Sequence, residues 1–179
     1  MPRNEENLSL SEIKRLQQEG LQGEVGGDGD ADPVEILTDD HAHLQLLFNE
    51  YEGDNRAERR EMLHRILAIL ELHLRLEEES LYPAIVHQGA EGRRRVAEAR
   101  EMHQRIRRQM ETLSQARRMD RKTDAAFGAL EMLLEAHAEW EEANIHPFTY
   151  DMRQGDVAAI GEAMLGIRGA SPIARRRGL

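Results

Sequence analysis

Four apolar stripes, each interrupted by a single histidine, limit the fold of this chain more than any other feature. One stripe runs at intervals of 3, 4, 3 and 4 residues through Val34, Leu37, His41, Leu44 and Phe48. This is the spacing of one face of an α-helix. The same spacing recurs around His103, and stripes around His73 and His137 follow it closely. Because apolar helix faces bury against one another, four such stripes predict an all-α protein.

Turn signals divide the stripes into four long helices. The predicted helices cover about residues 33–51, 57–86, 93–117 and 124–145. Gly53–Asn55 predicts the first turn, Gly89 and Gly92 bracket the second, and residues 119–123 form the third. Short connections make neighbouring helices antiparallel, so we expect an up-down-up-down four-helix bundle. Besides the bundle, we predict an N-terminal acidic extension and a short C-terminal helix over about residues 156–167.

Three regions are expected along the chain: residues 1–32, the bundle over 33–150, and residues 151–179. The first 40 residues hold eleven acidic residues and three basic ones. Ser9–Glu12 resembles a capping box that begins a short helix to about Glu19, and the Gly- and Asp-rich Gly20–Asp32 predicts a flexible linker. The last region is a helix followed by the basic tail Arg175–Arg177.

Composition excludes several classes of function. The formal net charge is −10, yet the residues after position 40 are close to neutral, so nothing favours nucleic-acid binding. The chain has no cysteine, which excludes disulfides, thiolate metal sites and a cysteine nucleophile. No apolar run approaches the roughly 18–20 residues of a membrane span. Met1–Leu10 lacks the basic start and apolar centre of a signal peptide, so we predict a cytoplasmic protein without membrane partners.

Two glutamates extend the histidine pattern into a candidate metal site. Glu77 and Glu141 come four residues after His73 and His137, so each pair lies on one helix face a turn apart. Buried carboxylates are costly unless a cation or hydrogen-bond donors satisfy them. Counting residues from the turns places the four histidines within about one helical turn of a common level. Imidazole and carboxylate without sulfur favour iron or manganese, with zinc as an alternative.

The other four histidines do not share this face. His43 and His64 lie about 180–200° around their helices from His41 and His73. His87 and His146 are at helix ends, and we interpret all four as structural or solvent-facing. The sequence puts no tyrosine within obvious reach of the site; the three are Tyr51, Tyr82 and Tyr150.

The residues around these positions resemble the hemerythrin-like, or HHE cation-binding, domain family. The similar strings are Asp40-His41, His73-Leu-Arg-Leu-Glu77-Glu-Glu-Ser-Leu-Tyr-Pro83, Glu101-Met-His103 and His137-Ala-Glu-Trp-Glu141-Glu-Ala-Asn-Ile-His-Pro147. The resemblance covers about residues 33–150. It implies two non-haem iron ions, joined by an oxo or hydroxo bridge, with manganese as an alternative metal. In that arrangement the terminal ligands are His41, His73, His103 and His137, and the bridging ligands are Glu77 and Glu141.

The sequence departs from two branches of that family. Oxygen-carrying hemerythrins have a fifth histidine in a His-x-x-x-His motif on the third helix, whereas Arg107 and Ala99 flank His103 here at those spacings. Iron–sulfur repair members have a cysteine-bearing N-terminal module, which a chain without cysteine cannot match. In two six-coordinate ions, about two of the twelve positions remain after the six residues and the bridge. The first hypothesis is therefore binding of, or reaction with, O2, peroxide or a similar small molecule.

Two alternatives remain open from the sequence. In one, oxygen or iron occupancy is sensed and transmitted to an unknown protein partner through residues 1–32. That segment could fold back on the arginine-rich third helix, the other interpretation being a solvated tail beside a solvated basic face. In the other alternative, the site is structural or stores iron; this is the least favoured, because nothing in the sequence specifies a storage cage.

Overall fold

The computed structural model describes residues 31–51 and 56–171, and it confirms the predicted all-α bundle. The helices are α1 (Pro33–Glu50), α2 (Arg56–Leu76), α3 (Tyr82–Val86), α4 (Ala90–Ser114), α5 (Arg121–Asn144), α6 (Pro147–Tyr150) and α7 (Gln154–Ala170). A π-helical segment, Glu77–Leu81, joins α2 to α3. Four predicted features lie outside the described residues: the helix near residues 9–19, most of the acidic linker, the Gly53–Asn55 turn and the Arg175–Arg177 tail.

Aspartates determine where two of the long helices begin. The Asp32 carboxylate accepts a hydrogen bond from the Val34 amide at 2.8 Å, immediately before proline at the first helical position. Asp120 caps α5 in the same way, accepting from the amides of Lys122 and Thr123 at 3.1 Å each. The sequence placed the start of α5 near Asp124. The helix begins about one turn earlier because Asp120 satisfies its first free amides.

The helix predicted without a break over residues 57–86 contains a π-helical turn. Pro83 has no backbone N–H, so it cannot donate to the carbonyl of Glu79, and its ring would clash with that carbonyl in a regular α-helix. The chain responds with a wider turn, in which the Tyr82 amide donates to the carbonyl of Glu77, five residues earlier. The wider turn changes the direction in which residues after Glu77 face, and this matters for the site.

The turn between α3 and α4 differs from the prediction at Gly92. Gly89 has a φ of 111°, a conformation that favours glycine, and it ends the turn as expected. Gly92 instead lies within α4, which begins at Ala90. A Cβ at Gly92 would clash with the carbonyl oxygen of Ile85. Glycine there therefore allows α4 to approach α3 closely.

The C-terminal helix α7 is longer than predicted and packs on the bundle. It contacts α1, α2 and the π-helical segment. Gly161 lies against the backbone of Ala31, where a Cβ would clash with the Ala31 carbonyl oxygen. Arg168, near the end of α7, donates to the Asp40 carboxylate on α1 at 2.7 Å. The helix thus reaches the residues next to the candidate site.

The core consists of two apolar clusters separated by a polar layer. Leu44, Leu70 and Ile106 belong to one cluster. Leu37 and Leu76 belong to the other. The four histidines of the stripes lie between these clusters, one from each long helix. No helix among the described residues is both long and apolar enough to cross a membrane.

Candidate metal centre

The bundle buries all six predicted ligand residues. Five of them have no exposed surface: His73, Glu77, His103, His137 and Glu141. His41 alone is slightly exposed, at 9%. Six ionisable side chains in an apolar core are costly unless they satisfy one another or bind a cation.

Five of the six residues form one compact group of donor atoms. One nitrogen or oxygen from each of His41, His73, Glu77, His137 and Glu141 lies within 4.8 Å of all the others. His103 falls outside this group. It contacts the group through its Nε2, which is 2.8 Å from the Glu77 carboxylate. The structure therefore brings the six predicted residues into one layer, and their assignment as metal ligands remains a proposal.

Glu77 is the centre of the polar contacts in this layer. Its carboxylate oxygens lie 3.1 Å from His73 Nε2, 2.8 Å from His103 Nε2 and 3.3 Å from His137 Nε2. Burial alone would raise the pKa of Glu77, but the surrounding imidazoles, His73 first, lower it well below its usual value. Burial likewise opposes protonation of His73, whereas Glu77 and Asp40 outweigh it and raise the pKa of His73 to about 9.

Glu141 has a very different environment from Glu77. Its carboxylate is 3.7 Å from His41 Nε2 and 3.7 Å from His137 Nε2, and neither carboxylate oxygen has a hydrogen-bond partner. Burial, reinforced by the charge of Glu77, raises the pKa of Glu141 well above its usual value. Burial also lowers the pKa of His41 to about 3, which leaves its imidazole in the neutral form that binds metals.

One carboxylate outside the layer hydrogen-bonds to a histidine of the layer, and a second carboxylate lies near another histidine without a hydrogen bond. His103 Nδ1 lies 2.7 Å from Glu78 Oε1, and His73 Nδ1 lies 3.5 Å from Asp40 Oδ2. Each carboxylate in turn contacts an arginine. A carboxylate behind an imidazole fixes the ring orientation and makes the opposite nitrogen a better metal ligand. Among the described residues no such carboxylate stands behind His41 or His137, whose Nδ1 atoms have no hydrogen-bond partner.

Arg107 is four residues after His103, at the position where oxygen-carrying hemerythrins have their fifth histidine. Its guanidinium does not enter the layer. It donates to both oxygens of Glu78, at 2.7 and 3.0 Å, and to the carboxylate of Glu71 at 3.1 and 3.2 Å. Arg107 therefore holds Glu78 behind His103, and this chain has a supporting ion pair where a ligand would otherwise stand.

Tyr82 lies at the site, although the sequence did not put it within obvious reach. Its side chain is fully buried, and its hydroxyl is 3.0 Å from His103 Nε2 and 3.4 Å from Glu77 Oε2. In a regular α-helix a residue five after Glu77 would be turned about 140° away from it. The π-helical turn brings that residue back to the same face, and Pro83 is the sequence signal that could have predicted it.

His146 occupies the matching position in an internal repeat. His73 to Pro83 and His137 to Pro147 share the pattern His-x-x-x-Glu-Glu-x-x-(Leu or Ile)-x-Pro. The His146 amide donates to the Glu141 carbonyl five residues earlier at 3.1 Å, as Tyr82 does to Glu77. His146 is 3% exposed, and its Nε2 is buried without a hydrogen-bond partner. It is thus not solvent-facing, whereas His64 and His87 are exposed and His43 is half-buried.

The donor atoms fit a metal centre. Several of them are buried without a hydrogen-bond partner: both nitrogens of His41, both nitrogens of His73, Nδ1 of His137 and both oxygens of Glu141. Buried polar atoms in folded proteins are nearly always paired, so a group of unpaired atoms facing one another requires an explanation. A cation is a single species that satisfies neutral imidazoles and carboxylates together.

Comparisons with known proteins agree with this chemistry. Residues 32–149 match the family model described as the hemerythrin HHE cation binding domain. A crystal structure of a hemerythrin HHE cation binding domain-containing protein from Mycobacterium kansasii is similar, with a TM-score of 0.67 and 22% sequence identity. The similarity covers 82% of this chain and 88% of that one, and it concerns the fold. No curated protein matches the chain.

Proposed function

This chain belongs to the hemerythrin HHE cation-binding domain family, and we propose that it is a non-haem di-iron protein that binds or reacts with O2, peroxide or a similar small molecule. The buried group of facing, unpaired imidazole and carboxylate atoms is the observation that carries the proposal. The iron ions would supply redox electrons and Lewis acidity. We propose His41, His73, His103 and His137 as terminal ligands, with Glu77 and Glu141 shared between the two ions.

The surroundings of the layer support a small substrate. Five of the six residues are fully buried, and apolar clusters close the layer on both sides. Only His41 has any exposed surface. A core packed in this way leaves no space for an extended organic substrate, but it can admit a molecule of two or three atoms.

Tyr82 and Arg107 support reaction or sensing over simple reversible carriage. Arg107 stands in place of the carriers' fifth histidine and serves to hold Glu78. The Tyr82 hydroxyl is a hydrogen-bond donor inside the layer, in contact with both His103 and Glu77. A donor at that place can orient a small ligand or hold a proton close to it. A cytoplasmic location remains a prediction from the sequence.

Spectroscopy of ferrous-loaded protein tests the proposal. Anaerobic protein is loaded with Fe2+, and the UV–visible spectrum is followed as O2 is admitted and then removed. A charge-transfer band that appears and reverses would establish binding, and irreversible conversion to a ferric spectrum would establish reaction. No spectral change with either O2 or peroxide would contradict the proposal.

Two variants with matched controls test the ligand assignment. His73→Ala and Glu141→Ala should each abolish stoichiometric iron binding, measured by elemental analysis after gel filtration. His64→Ala on the same helix as His73, and Glu142→Ala next to Glu141, alter exposed residues and should retain full binding. Full retention of iron in either ligand variant would overturn the assignment.

A further inference from the structure

A groove between α1 and α5 leads from the surface to the candidate centre. Its volume is about 400 Å³, and its lining includes two small side chains, Ala42 on α1 and Ala138 on α5. His41 lines the groove. Because the other five predicted ligands have no exposed surface, this groove ends on the one ligand that solvent can reach.

The wall of the groove formed by α5 is strongly acidic. Four glutamates line it: Glu131, Glu135, Glu139 and Glu142. They follow one another at intervals of 4, 4 and 3 residues, so they form a stripe about 16 Å long on one helix face. No lysine or arginine is among the lining residues, and none of the described basic side chains forms an ion pair with these four.

The inner end of the groove supplies an independent indication of a ligand. His41 is about nine-tenths buried, and neither of its ring nitrogens has a hydrogen-bond partner. Its Nε2 lies 3.7 Å from Glu141, whose carboxylate oxygens also lack hydrogen-bond partners. The acidic stripe therefore leads to buried donor atoms that are suited to a cation.

We infer that the α1–α5 groove is the route by which divalent metal cations reach the centre, with the glutamate stripe drawing them in and His41 receiving them first. A cleft lined by charges of one sign focuses the electric field and raises the local concentration of counter-ions. Cation association rates rise on this account by roughly 10- to 1,000-fold. The inference rests on one part of the proposed function, namely that the centre binds a metal.

Loading kinetics of the metal-free full-length chain test the inference. Co2+ is the probe, because its visible absorption develops as protein ligands bind it, and mixing is followed by stopped flow at low ionic strength. The triple variant E131Q/E135Q/E139Q should load about 10-fold more slowly than the unmodified chain, with the same final stoichiometry. Raising the salt concentration should reduce that difference, since exposed charges are screened.

A matched triple variant separates the groove from net charge. E61Q/E111Q/E162Q removes three exposed glutamates that do not line the groove, so its change in net charge is identical. It should load at nearly the rate of the unmodified chain. Equal rates for the two triple variants, whether both slow or both unchanged, would overturn the inference.

A steric variant provides a second test. Ala138→Phe places a large ring in the groove without changing charge. If cations pass through the groove, loading and chelator-driven release should slow by the same factor, and the equilibrium affinity should stay unchanged. Unchanged rates in Ala138→Phe would overturn the inference. Failure of the proposed function looks different, because it would appear as absent O2 or peroxide chemistry in protein that loads normally.

Discussion

The two halves of the internal repeat place the same residues in unequal environments. In the first half, Glu77 contacts three imidazoles within 3.3 Å and the hydroxyl of Tyr82 at 3.4 Å. In the second half, neither oxygen of Glu141 has a hydrogen-bond partner, and His146 Nε2 is likewise unpaired. In the first half the carboxylate is thus satisfied by the protein itself, whereas both ring nitrogens of His73 lack hydrogen-bond partners. The second half lacks partners that a metal would supply.

The same inequality extends beyond the ligand layer. A carboxylate with an arginine behind it supports His103, through Glu78 and Arg107, and a longer contact joins His73 to Asp40. The half that contains Glu141 borders the acidic groove. One half is therefore supported by ion pairs and the other gives access. Two pairs of matched substitutions test that difference, and another pair compares the two supporting carboxylates.

We expect the largest effect in the free energy of unfolding of metal-free protein, where Glu77→Gln and Glu141→Gln should differ most. Removing the charge of Glu77 leaves three buried imidazoles without their anion, and breaking a buried ion pair costs about 3–5 kcal/mol of unfolding free energy. Glu141 lies 3.7 Å from the imidazoles of His41 and His137, and neither of its oxygens has a hydrogen-bond partner. Glu141→Gln should therefore change the free energy of unfolding by less than about 1 kcal/mol. Urea denaturation in the presence of a chelator measures the free energy of unfolding of both variants. Equal destabilisation by the two substitutions would contradict the comparison.

A second pair compares the supporting carboxylates. Glu78→Gln should weaken iron affinity by roughly 10- to 100-fold, because His103 loses the anion that orients its ring and Arg107 loses its partner. Asp40→Asn should have a smaller effect, since its contact with His73 is 3.5 Å rather than 2.7 Å. Competition with a chelator of known affinity measures the iron affinity of both variants. Glu79→Gln, at an exposed residue paired with Arg75, is the control and should leave affinity unchanged.

We expect the smallest effect on the free energy of unfolding from substitutions of Tyr82 and His146, the residues that precede the two prolines. Tyr82→Phe removes a buried hydroxyl that contacts His103 and Glu77, and should cost about 1 kcal/mol of unfolding free energy in metal-free protein. His146→Phe removes an imidazole whose Nε2 has no hydrogen-bond partner, so it should cost less than Tyr82→Phe. Thermal unfolding of the metal-free variants shows which substitution lowers stability more. A larger loss from His146→Phe would show that its imidazole has a structural role that the comparison omits.

The sequence predicted the bundle because helix periodicity and turn composition are local properties. The end of α1 and the cap at Asp32 follow directly from such signals. The common level of the four histidines was predictable as well, because turn positions and the rise per residue fix it. Helix boundaries were less accurate, as at Gly92, where close packing against Ile85 decided the outcome.

The surroundings of the site were not predictable from helix periodicity. Tyr82 and His146 reach their positions through wide turns before prolines, whereas an α-helical projection turns both residues away. Arg168 on α7 and Asp40 on α1 are far apart in sequence, and no periodic pattern connects them. Such contacts depend on how whole helices pack, so only the folded structure reveals them.

An anaerobic titration of metal-free protein with Fe2+ tests the central claim most directly. The claim is that cations complete the half of the layer around Glu141 and His41. Equilibrium binding should saturate at two iron ions per chain in the unmodified protein, and Glu141→Gln should lose at least one of them while His64→Gln retains both. Saturation below two ions in the unmodified chain, or two ions still bound in Glu141→Gln, would contradict the account.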